Sequence, residues 1–306
     1  MSKVKFDSVL IIGVGLIGSS LARAIREYDL AKKIYGLDTS RTNLAKCNEL
    51  EILSKGADSL DSFSEQFDLV IICSPLSTYK SIFASLNSYI TQDTLVTDVG
   101  STKMSVIRDF KETVKNSFIQ FLPSHPIAGT EKSGAEFGFS QLFVNRFCII
   151  TPINTNNDTI NIIKQFWTAI GMQIETMDAE HHDRVLAMTS HIPQLIAYSI
   201  VSTATELEKH LKDEVIKYSA AGFRDFTRLA GSDPIMWRDV YSLNKDAVLE
   251  MLNKFTKDLS TMQKAIQNND LSFLEKTFRT TRKLEKLLKN WVKPVHLILG
   301  KIRENN

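Results

Sequence analysis

A glycine pattern near the start of the chain constrains its fold more than any other feature. Residues 9–20 read VLIIGVGLIGSS. An apolar run is followed there by glycines in GxGxxG spacing and by the first residues of a helical pattern: Gly13, Gly15 and Gly18, with Leu16 and Ile17 between them. Such glycines allow a tight turn and a close approach of the backbone to a pyrophosphate, which the N-terminus of the following helix binds. The sequence therefore predicts a dinucleotide-binding loop at residues 13–18.

An acidic residue supports this interpretation. The next apolar run ends in YGLDTS, which places Asp38 twenty residues after Gly18. A carboxylate at this position accepts hydrogen bonds from the adenosine ribose and repels a 2′-phosphate. The sequence therefore favours NAD over NADP as the cofactor, although the nearby Arg41 could offset part of that repulsion.

Short apolar runs alternate with helical patterns up to about residue 178. The predicted strands are Val9–Ile12, Ile34–Leu37, Leu69–Cys73, Leu95–Asp98, Ile119–Leu122, Phe147–Thr151 and Gln173–Met177. Strands that alternate with helices indicate βαβ units and a largely parallel sheet with helices on both faces. We therefore expect an α/β fold, with a Rossmann-type doubly wound NAD-binding domain over residues 1–178.

The strand pattern stops after residue 178. Long helices are predicted over residues 179–205, 207–221, 234–267 and 270–290, with Asp178, Asp233 and Asp270 as N-caps and Pro234 in a first turn. Their apolar faces are too large for a small domain to bury alone. We expect an all-helical substrate and dimerisation domain over residues 179–306, and the function of the tail beyond about residue 260 stays open.

Composition and charge limit the classes of partner. The chain has 306 residues, 43% of them hydrophobic, and a formal charge of +2 without a dense basic block before the C-terminal region. Neither nucleic acid nor a membrane is therefore expected as a partner, since the apolar runs are shorter than the roughly 20 residues that span a bilayer. The segment MSKVKFDS lacks an apolar signal core, and the three cysteines form no CxxC pair. These features favour a cytoplasmic protein with reduced thiols.

One histidine follows a predicted strand at the edge where ligands bind. In a doubly wound sheet, ligands lie outside the carboxyl ends of the strands. The segments that follow the strands there are Ser74–Pro75, Asp98–Lys103 and Ser124–Pro126. His125 lies between Pro123 and Pro126, which restrict the backbone. We expect His125 to face the nicotinamide end of the cofactor.

The remaining histidines have no such location. We expect surface or helix-packing positions for His181, His182, His210 and His296. A metal site built from His182, Asp183 and His191 is conceivable, but their spacing matches no usual zinc pattern. The sequence therefore predicts no metal.

Six motifs together resemble the prephenate/arogenate dehydrogenase family of tyrosine biosynthesis. They are GVGLIGSS, CSPLS (73–77), DVGSTK (98–103), SHPIAGTEKSG (124–134), EHHDRVLAMTSHIPQLIA (180–197) and GFRDFTRLAGSDPIMWRDV (222–240). The resemblance implies an NAD(P)-dependent oxidative decarboxylation of prephenate or arogenate. It also implies a homodimer formed through the C-terminal helices.

The resemblance also implies roles for individual residues. His125 matches the catalytic histidine that hydrogen-bonds the C4 hydroxyl of the substrate ring, and Ser101 matches the serine that orients this histidine. The substrate-binding positions are Arg228 for a carboxylate, Ser190 in the pocket, Glu131 as an acidic gate and Trp237 beside the pocket. Ser74 and Pro75 match cofactor-binding positions.

Gln194 departs from the family pattern. The segment SHIPQ has glutamine where many members have a histidine that contacts the substrate side chain. Glutamine stays neutral and offers both a donor and an acceptor. The preference between the keto side chain of prephenate and the amino-acid side chain of arogenate therefore stays open, and we favour prephenate or the use of both.

Two other interpretations are weighed against this one. A β-hydroxyacid dehydrogenase shares the glycine loop and a helical second domain, but it depends on a catalytic lysine for which this chain has no comparable motif. A non-catalytic NAD-binding regulator would keep the fold and need no His125. We also expect neither a fused chorismate mutase domain nor a fused regulatory domain, so any inhibition by tyrosine would act near the active site.

Overall fold

The computed structural model describes residues 4–116, 119–207, 214 and 217–291, with residues 284–291 described by backbone alone. The chain divides into two units, Met1–Met251 and Leu252–Asn306. All the residues discussed as a candidate site lie in the first unit.

Six parallel strands form the main sheet of the first unit. They are β1 (Phe6–Ile12), β2 (Ala31–Leu37), β3 (Lys55–Ala57), β4 (Leu69–Ile72), β5 (Leu95–Asp98) and β6 (Gln120–Leu122). Their order is β3-β2-β1-β4-β5-β6. The order reverses beside β1, so the carboxyl ends of β1 and β4 form the topological switch point where ligands bind. The predicted doubly wound sheet is confirmed, whereas the sequence did not predict the short β3, which lacks an apolar run.

A second sheet of three strands follows. It consists of β7 (Ser124–Pro126), β8 (Phe147–Ile150) and β9 (Gln173–Thr176). β7 pairs antiparallel with β8, and β8 pairs parallel with β9. The prediction of one largely parallel sheet was wrong for these strands. Pro123 separates β6 from β7 and has no N–H to donate to a ladder, so the chain leaves the main sheet at this residue.

Helices cover both faces of the main sheet. They are α1 (Leu16–Glu27), α2 (Arg41–Glu49), α3 (Tyr79–Leu86), α4 (Met104–Thr113) and α5 (Asn157–Ala169). Alternate residues of β1 point to opposite faces. Val9 and Ile11 accordingly belong to one buried cluster with Trp167, and Leu10 belongs to a second cluster with Phe83. Two apolar cores therefore fix the sheet edge on which the glycine loop opens.

The later part of the chain is helical. It contains α6 (Ala179–Leu186), a π-helical turn (Ala187–His191), α7 (Ile192–Thr205), α8 (Ala221–Ala230), α9 (Pro234–Leu243), α10 (Lys245–Gln267) and, in the second unit, α11 (Leu271–Trp291). The three predicted N-caps are confirmed, because the carboxylates of Asp178, Asp233 and Asp270 accept hydrogen bonds from backbone N–H groups of the first turns.

Two of the predicted helices do not appear as single described helices. The predicted helix over residues 234–267 is two helices, which meet at Asn244. The side chain of Asn244 donates a hydrogen bond to the Asp183 carbonyl at 2.9 Å, an interaction that fixes the break between them. Most of the predicted helix over residues 207–221 lies outside the described residues.

One helical run has the length and composition of a membrane-spanning helix, although the sequence contains no unbroken apolar run of that length. Ala179–Thr205 is long and apolar enough to cross a membrane by length and composition alone, and 33% of its most apolar stretch is buried. Core helices of soluble proteins pass the same test. This run contains buried His182, Asp183 and His191, which bond to other parts of the first unit.

Candidate active site

The glycine loop has the geometry of a phosphate-binding turn. Gly13 has φ +91°, and a Cβ atom there would lie 2.8 Å from the backbone of Cys73 and Ser74. A Cβ on Gly18 would lie 1.9 Å from the Gly13 carbonyl oxygen. Gly15, in contrast, faces open space, since nothing lies within 4 Å of a Cβ built there. No side chain caps the N-terminus of α1, which therefore leaves backbone N–H groups for an anion beside Gly15.

Asp38 lies at the end of β2, beside this loop. One carboxylate oxygen accepts hydrogen bonds from Val14 N at 2.8 Å and Asn43 Nδ2 at 3.2 Å, and the other accepts from Ser40 N at 2.7 Å. These bonds fix the carboxylate where a ribose would bind. The Arg41 side chain is 90% exposed and lies 3.9 Å from Asp58. This separation is too long for a hydrogen bond, so Arg41 is only loosely held near Asp58, while Asp38 is fixed; the residues of this loop fit NAD.

His125 lies in β7, at the start of the second sheet. It pairs with Ile149 of β8, and its side chain is only 9% exposed. The strand is attached to the main sheet through Ser124, whose N–H donates to Asp98 at 3.0 Å and whose carbonyl accepts from Lys103 Nζ at 2.6 Å. The backbone of His125 is thus fixed by groups from β5 and from the loop before α4.

Asp98 and Lys103 form a fully buried ion pair. The ammonium of Lys103 lies 2.6 Å from Asp98 Oδ2, and both side chains are 0% exposed. Burial lowers the pKa of Lys103, while the Asp98 carboxylate opposes that shift. Removing either partner would leave a buried charge unpaired, a change that typically costs about 3–5 kcal/mol.

His182 contacts His125, contrary to the expectation of a surface or helix-packing position. The side chain of His182 is 0% exposed, and its Nε2 lies 2.9 Å from Nδ1 of His125. His181, the adjacent residue, is exposed as expected, and His210 and His296 lie outside the described residues. Ser101 is half-buried in the loop before α4. Over the described residues, the hydrogen bond that orients His125 comes from His182 and not from Ser101.

The surroundings of His125 keep its imidazole neutral. Burial lowers the pKa of His125 well below its usual value, and electrostatic interactions with His182, Lys103 and His191 act in the same direction. Nδ1 is bonded to His182, whereas Nε2 has no hydrogen-bond partner among the described residues. A neutral imidazole with one ring nitrogen available can accept a proton from a bound hydroxyl.

The helices after residue 178 hold the predicted substrate-binding residues. Gln194 is buried and donates a hydrogen bond from Nε2 to the Leu229 carbonyl at 2.8 Å. Ser190 is half-buried in the π-helical turn. Trp237 packs against His191 with ring centroids 6.0 Å apart, and its buried Nε1 has no hydrogen-bond partner among the described residues. A buried N–H without an acceptor is costly, and a bound ligand can relieve that cost.

Arg228 and Glu131 differ from these residues in being exposed. The Arg228 side chain is 57% exposed, and its Nε lies 4.0 Å from Asp225 of the same helix. Glu131 lies in the loop after β7. The structure therefore leaves the two charged substrate-binding candidates accessible from solvent.

Comparisons with known proteins agree with this architecture. The family model described as "Prephenate dehydrogenase, nucleotide-binding domain" matches residues 21–176, and "Prephenate dehydrogenase, dimerization domain" matches residues 178–280. The chain belongs to the prephenate dehydrogenase family. The predicted family, the doubly wound fold with a helical second part and the assignment as a dehydrogenase are thereby confirmed.

Individual members of the family are similar over most of their length. Cyclohexadienyl dehydrogenase of Zymomonas mobilis is 37% identical over 287 residues, which cover 93% of this chain and 97% of that protein. Prephenate dehydrogenase of Bacillus subtilis is 34% identical, over 92% of this chain and 76% of that protein. The crystal structure of Aquifex aeolicus prephenate dehydrogenase with hydroxyphenyl propionate and NAD+ superimposes with a TM-score of 0.85 at 32% identity, covering 94% of this chain and all of that one.

The sequence patterns did not predict which buried residues surround His125. Asp98 and Lys103 were part of the motif DVGSTK, and His182 and Asp183 were part of EHHD, but none was assigned a contact with β7. The sequence feature that could have indicated this contact is the position of EHHD in the first turns of the first helix after residue 178. Within the described ranges, no group of three or more His, Cys, Asp or Glu is arranged to hold a metal ion.

Proposed function

We propose that this chain is an NAD-dependent prephenate dehydrogenase. The reaction converts prephenate to 4-hydroxyphenylpyruvate and carbon dioxide; a hydride leaves C4 for the nicotinamide, and the C4 hydroxyl becomes the phenol hydroxyl of the product. The observation that carries the proposal is the buried, neutral His125 with one available ring nitrogen, in a chain that also has the dinucleotide loop. Relatives named for this reaction at 34% identity, and for the cyclohexadienyl reaction at 37%, support it.

The cofactor would be held at the switch point of the sheet. The pyrophosphate would lie on Gly13, Gly15 and Gly18 at the N-terminus of α1, with Leu16 and Ile17 in its first turn. Asp38 would bind the adenosine ribose, and Ser74 and Pro75 after β4 would border the nicotinamide half. When bound, NAD supplies the acceptor for the hydride.

His125 acts as the general base in this proposal. Nε2 accepts the proton of the C4 hydroxyl as the hydride leaves C4. The electron pair of the bond that releases carbon dioxide then makes the ring aromatic, and the proton returns from His125 to the phenolate oxygen. A positioned base typically contributes about 10²–10⁴ in rate. We assign Ser101 to the same step as a group that borders the hydroxyl, since its loop lies between β5 and α4.

The substrate carboxylates require a cation. Arg228 is assigned to this role because a guanidinium can bind a carboxylate through two parallel hydrogen bonds. Its contact with Asp225 at 4.0 Å is too long to occupy the guanidinium. Ser190 and Trp237 complete the pocket in this proposal, and Glu131 lies at its entrance.

Gln194 makes arogenate the second candidate substrate. Its Nε2 donates to the Leu229 carbonyl, and Oε1 has no partner among the described residues. A carbonyl oxygen accepts hydrogen bonds, and arogenate has an ammonium group where prephenate has a ketone. An available acceptor at this position therefore favours use of arogenate alongside prephenate.

We also propose a division at residue 178 and a homodimer. The two family models meet between residues 176 and 178, which supports an NAD-binding domain over 1–178 and a helical domain over 179–306.

None of the residues of α8 is buried, although Phe223, Phe226 and Leu229 lie on one face of it. Ile235 and Met236 of α9 are also exposed. A second copy would cover these apolar groups. A cytoplasmic location is in keeping with the free cysteines.

The test is an assay of the purified chain with prephenate or arogenate, each with NAD or NADP, followed by the absorbance of reduced nicotinamide. We expect reduction with prephenate and NAD, and a much lower rate with NADP because of Asp38. His125→Asn, prepared in parallel, is the matched control for contaminating dehydrogenases.

Three results would change the proposal. Activity with arogenate alone would make Gln194 the determinant of substrate choice. Equal rates with NAD and NADP would contradict the role of Asp38. No reduction in any combination, by a protein that still binds NAD, would favour a non-catalytic NAD-binding regulator.

A further inference from the structure

Asp183 lies behind His182 and is anchored on the N-terminus of α4. Its Oδ1 lies 2.8 Å from Nδ1 of His182 and accepts a hydrogen bond from Lys103 N at 2.7 Å. Its Oδ2 accepts from Met104 N at 2.9 Å. Asp183 is only 3% exposed. A continuous hydrogen-bonded chain therefore runs from the α4 N-terminus through Asp183 and His182 to His125.

The direction of each hydrogen bond in this hydrogen-bonded chain follows from the end at α4, where backbone N–H groups donate to Asp183. A backbone N–H can only donate, so both oxygens of Asp183 accept hydrogen bonds, an arrangement that favours the carboxylate form over the acid. Nδ1 of His182 must then carry the hydrogen that lies between it and Asp183. In a neutral imidazole the other nitrogen is an acceptor, so Nε2 of His182 accepts, and Nδ1 of His125 must donate. Nε2 of His125 is thereby left with its lone pair free.

We propose that His182 and Asp183 are positioning residues that hold His125 in the tautomer with the hydrogen on Nδ1. The tautomer itself follows from the geometry, while its use in catalysis depends on the proposed function. The opposite tautomer would have a hydrogen on Nε2 and could not accept the hydroxyl proton. The arrangement corresponds in logic to a carboxylate that orients a catalytic histidine, with a second imidazole inserted between them.

The hydrogen-bonded chain through Asp183 and His182 also stabilises His125 after it has accepted the proton. The imidazolium then donates from Nδ1 to His182, and a hydrogen bond from a charged donor is roughly twice as strong as a neutral one. The buried charges that surround this bond are Asp98 and Lys103, which pair with each other, and Asp183, on the far side of His182. His191 also lies nearby, with its Nδ1 bonded to Asn244 at 3.1 Å.

The direct test is the ¹⁵N NMR spectrum of the ring nitrogens of His125 in the full-length protein without substrate. Signals are assigned by their loss in His125→Asn. We expect a protonated Nδ1 and an unprotonated Nε2 near pH 7. A protonated Nε2 with a bare Nδ1, or two protonated nitrogens, would overturn the proposal. This measurement does not require turnover, so it stands apart from any failure of the proposed function.

The second test uses three variants of α6. His182→Leu removes the acceptor for Nδ1, and we expect a fall in kcat of about ten- to a hundredfold with both KM values within about twofold. In His182→Gln, the side-chain carbonyl reaches the position of Nε2 and accepts from Nδ1, so kcat should recover to within about fivefold of the wild type. His181→Leu, on the exposed neighbour, is the matched control and should change neither parameter.

The comparison of Leu and Gln separates positioning from packing. If His182 served only to fill space, the apolar variant would be tolerated at least as well as the polar one. Equal kcat values for the two variants, or an unchanged kcat in a folded His182→Leu, would contradict the proposal.

Discussion

The two ends of the candidate site differ in how firmly their functional groups are held. At one end, His125 is 9% exposed and is bonded to His182, on a strand anchored by the buried pair of Asp98 and Lys103. At the other end, the Arg228 side chain is 57% exposed, and the acidic group paired with it among the described residues, Asp225, is 4.0 Å away. α8, which carries Arg228, has no buried residue.

This difference corresponds to two different tasks. A base must have its lone pair in place before the substrate arrives, and a buried, fully bonded network provides such preorganisation. A cation that attracts a dianionic substrate works at longer range and benefits from staying ionised and accessible. The groups that hold His125 therefore belong to the same chain, whereas Arg228 is accessible to a substrate or to a second copy.

The largest effect is expected from His125→Asn, because it removes the proton acceptor at the rigid end. The value of kcat should fall by at least about a hundredfold. The dissociation constant for NAD should change little, since the groups assigned to its pyrophosphate and adenosine ribose are the glycine loop and Asp38 and not His125. Steady-state kinetics and NAD binding by calorimetry measure the two quantities. Near-normal turnover in this variant would remove His125 from the mechanism.

Arg228→Gln should have the next largest effect, and on a different parameter. Loss of the cation should raise the KM for prephenate by about ten- to a hundredfold, in keeping with hydrogen bonds to charged groups of about 1.5–3 kcal/mol. The KM for NAD should stay within about twofold. If both KM values rose equally, Arg228 would be acting on the fold and not on the substrate, and the contrast between the two ends would be lost.

The sequence predicted the fold better than the surroundings of the base. The glycine loop, Asp38 and the alternation of strands and helices follow local patterns that a single segment contains. The second sheet did not follow, because β7 has only three residues and its pairing with β8 depends on residues more than twenty positions away.

The residues that hold His125 depended on long-range contacts in the same way. Asp98, Lys103 and His182 come from separate elements, and no spacing in the sequence shows that they meet. The expectation that His182 lies at a surface or packs on a helix rested on its not following a predicted strand, as His125 does. The sequence does not show that the inward face of α6 packs beside β7.

An acid-induced loss of stability should originate at the rigid end, and His191 offers the clearest measurement. Burial is the main cause that lowers the pKa of His191 to about 4; the charge of His182 acts in the same direction, and Asp183 opposes it. The unfolded chain titrates near 6.5. Below pH 6.5 the unfolded state binds a proton that the folded state does not, so the free energy of unfolding falls with pH until about pH 4.

The measurement compares the wild type with His191→Gln by denaturant unfolding at pH 7 and pH 5. Between these values the wild type should lose on the order of 2 kcal/mol more than the variant, because glutamine does not titrate. His181→Gln, at an exposed position, should behave like the wild type. If His191→Gln lost as much stability as the wild type, the acid sensitivity would have to be assigned elsewhere.

The smallest effect is expected at Gln194, which links α7 to the accessible end. Gln194→Leu removes the hydrogen bond to the Leu229 carbonyl, in the last turn of α8. A neutral hydrogen bond contributes about 1 kcal/mol, so a looser α8 should raise the substrate KM about fivefold while kcat stays unchanged. If Gln194 acts only through α8, prephenate and arogenate should be affected equally. An effect on one substrate alone would show that Gln194 contacts the side chain in which the two differ, and the accessible end would then be more sharply organised than its exposure indicates.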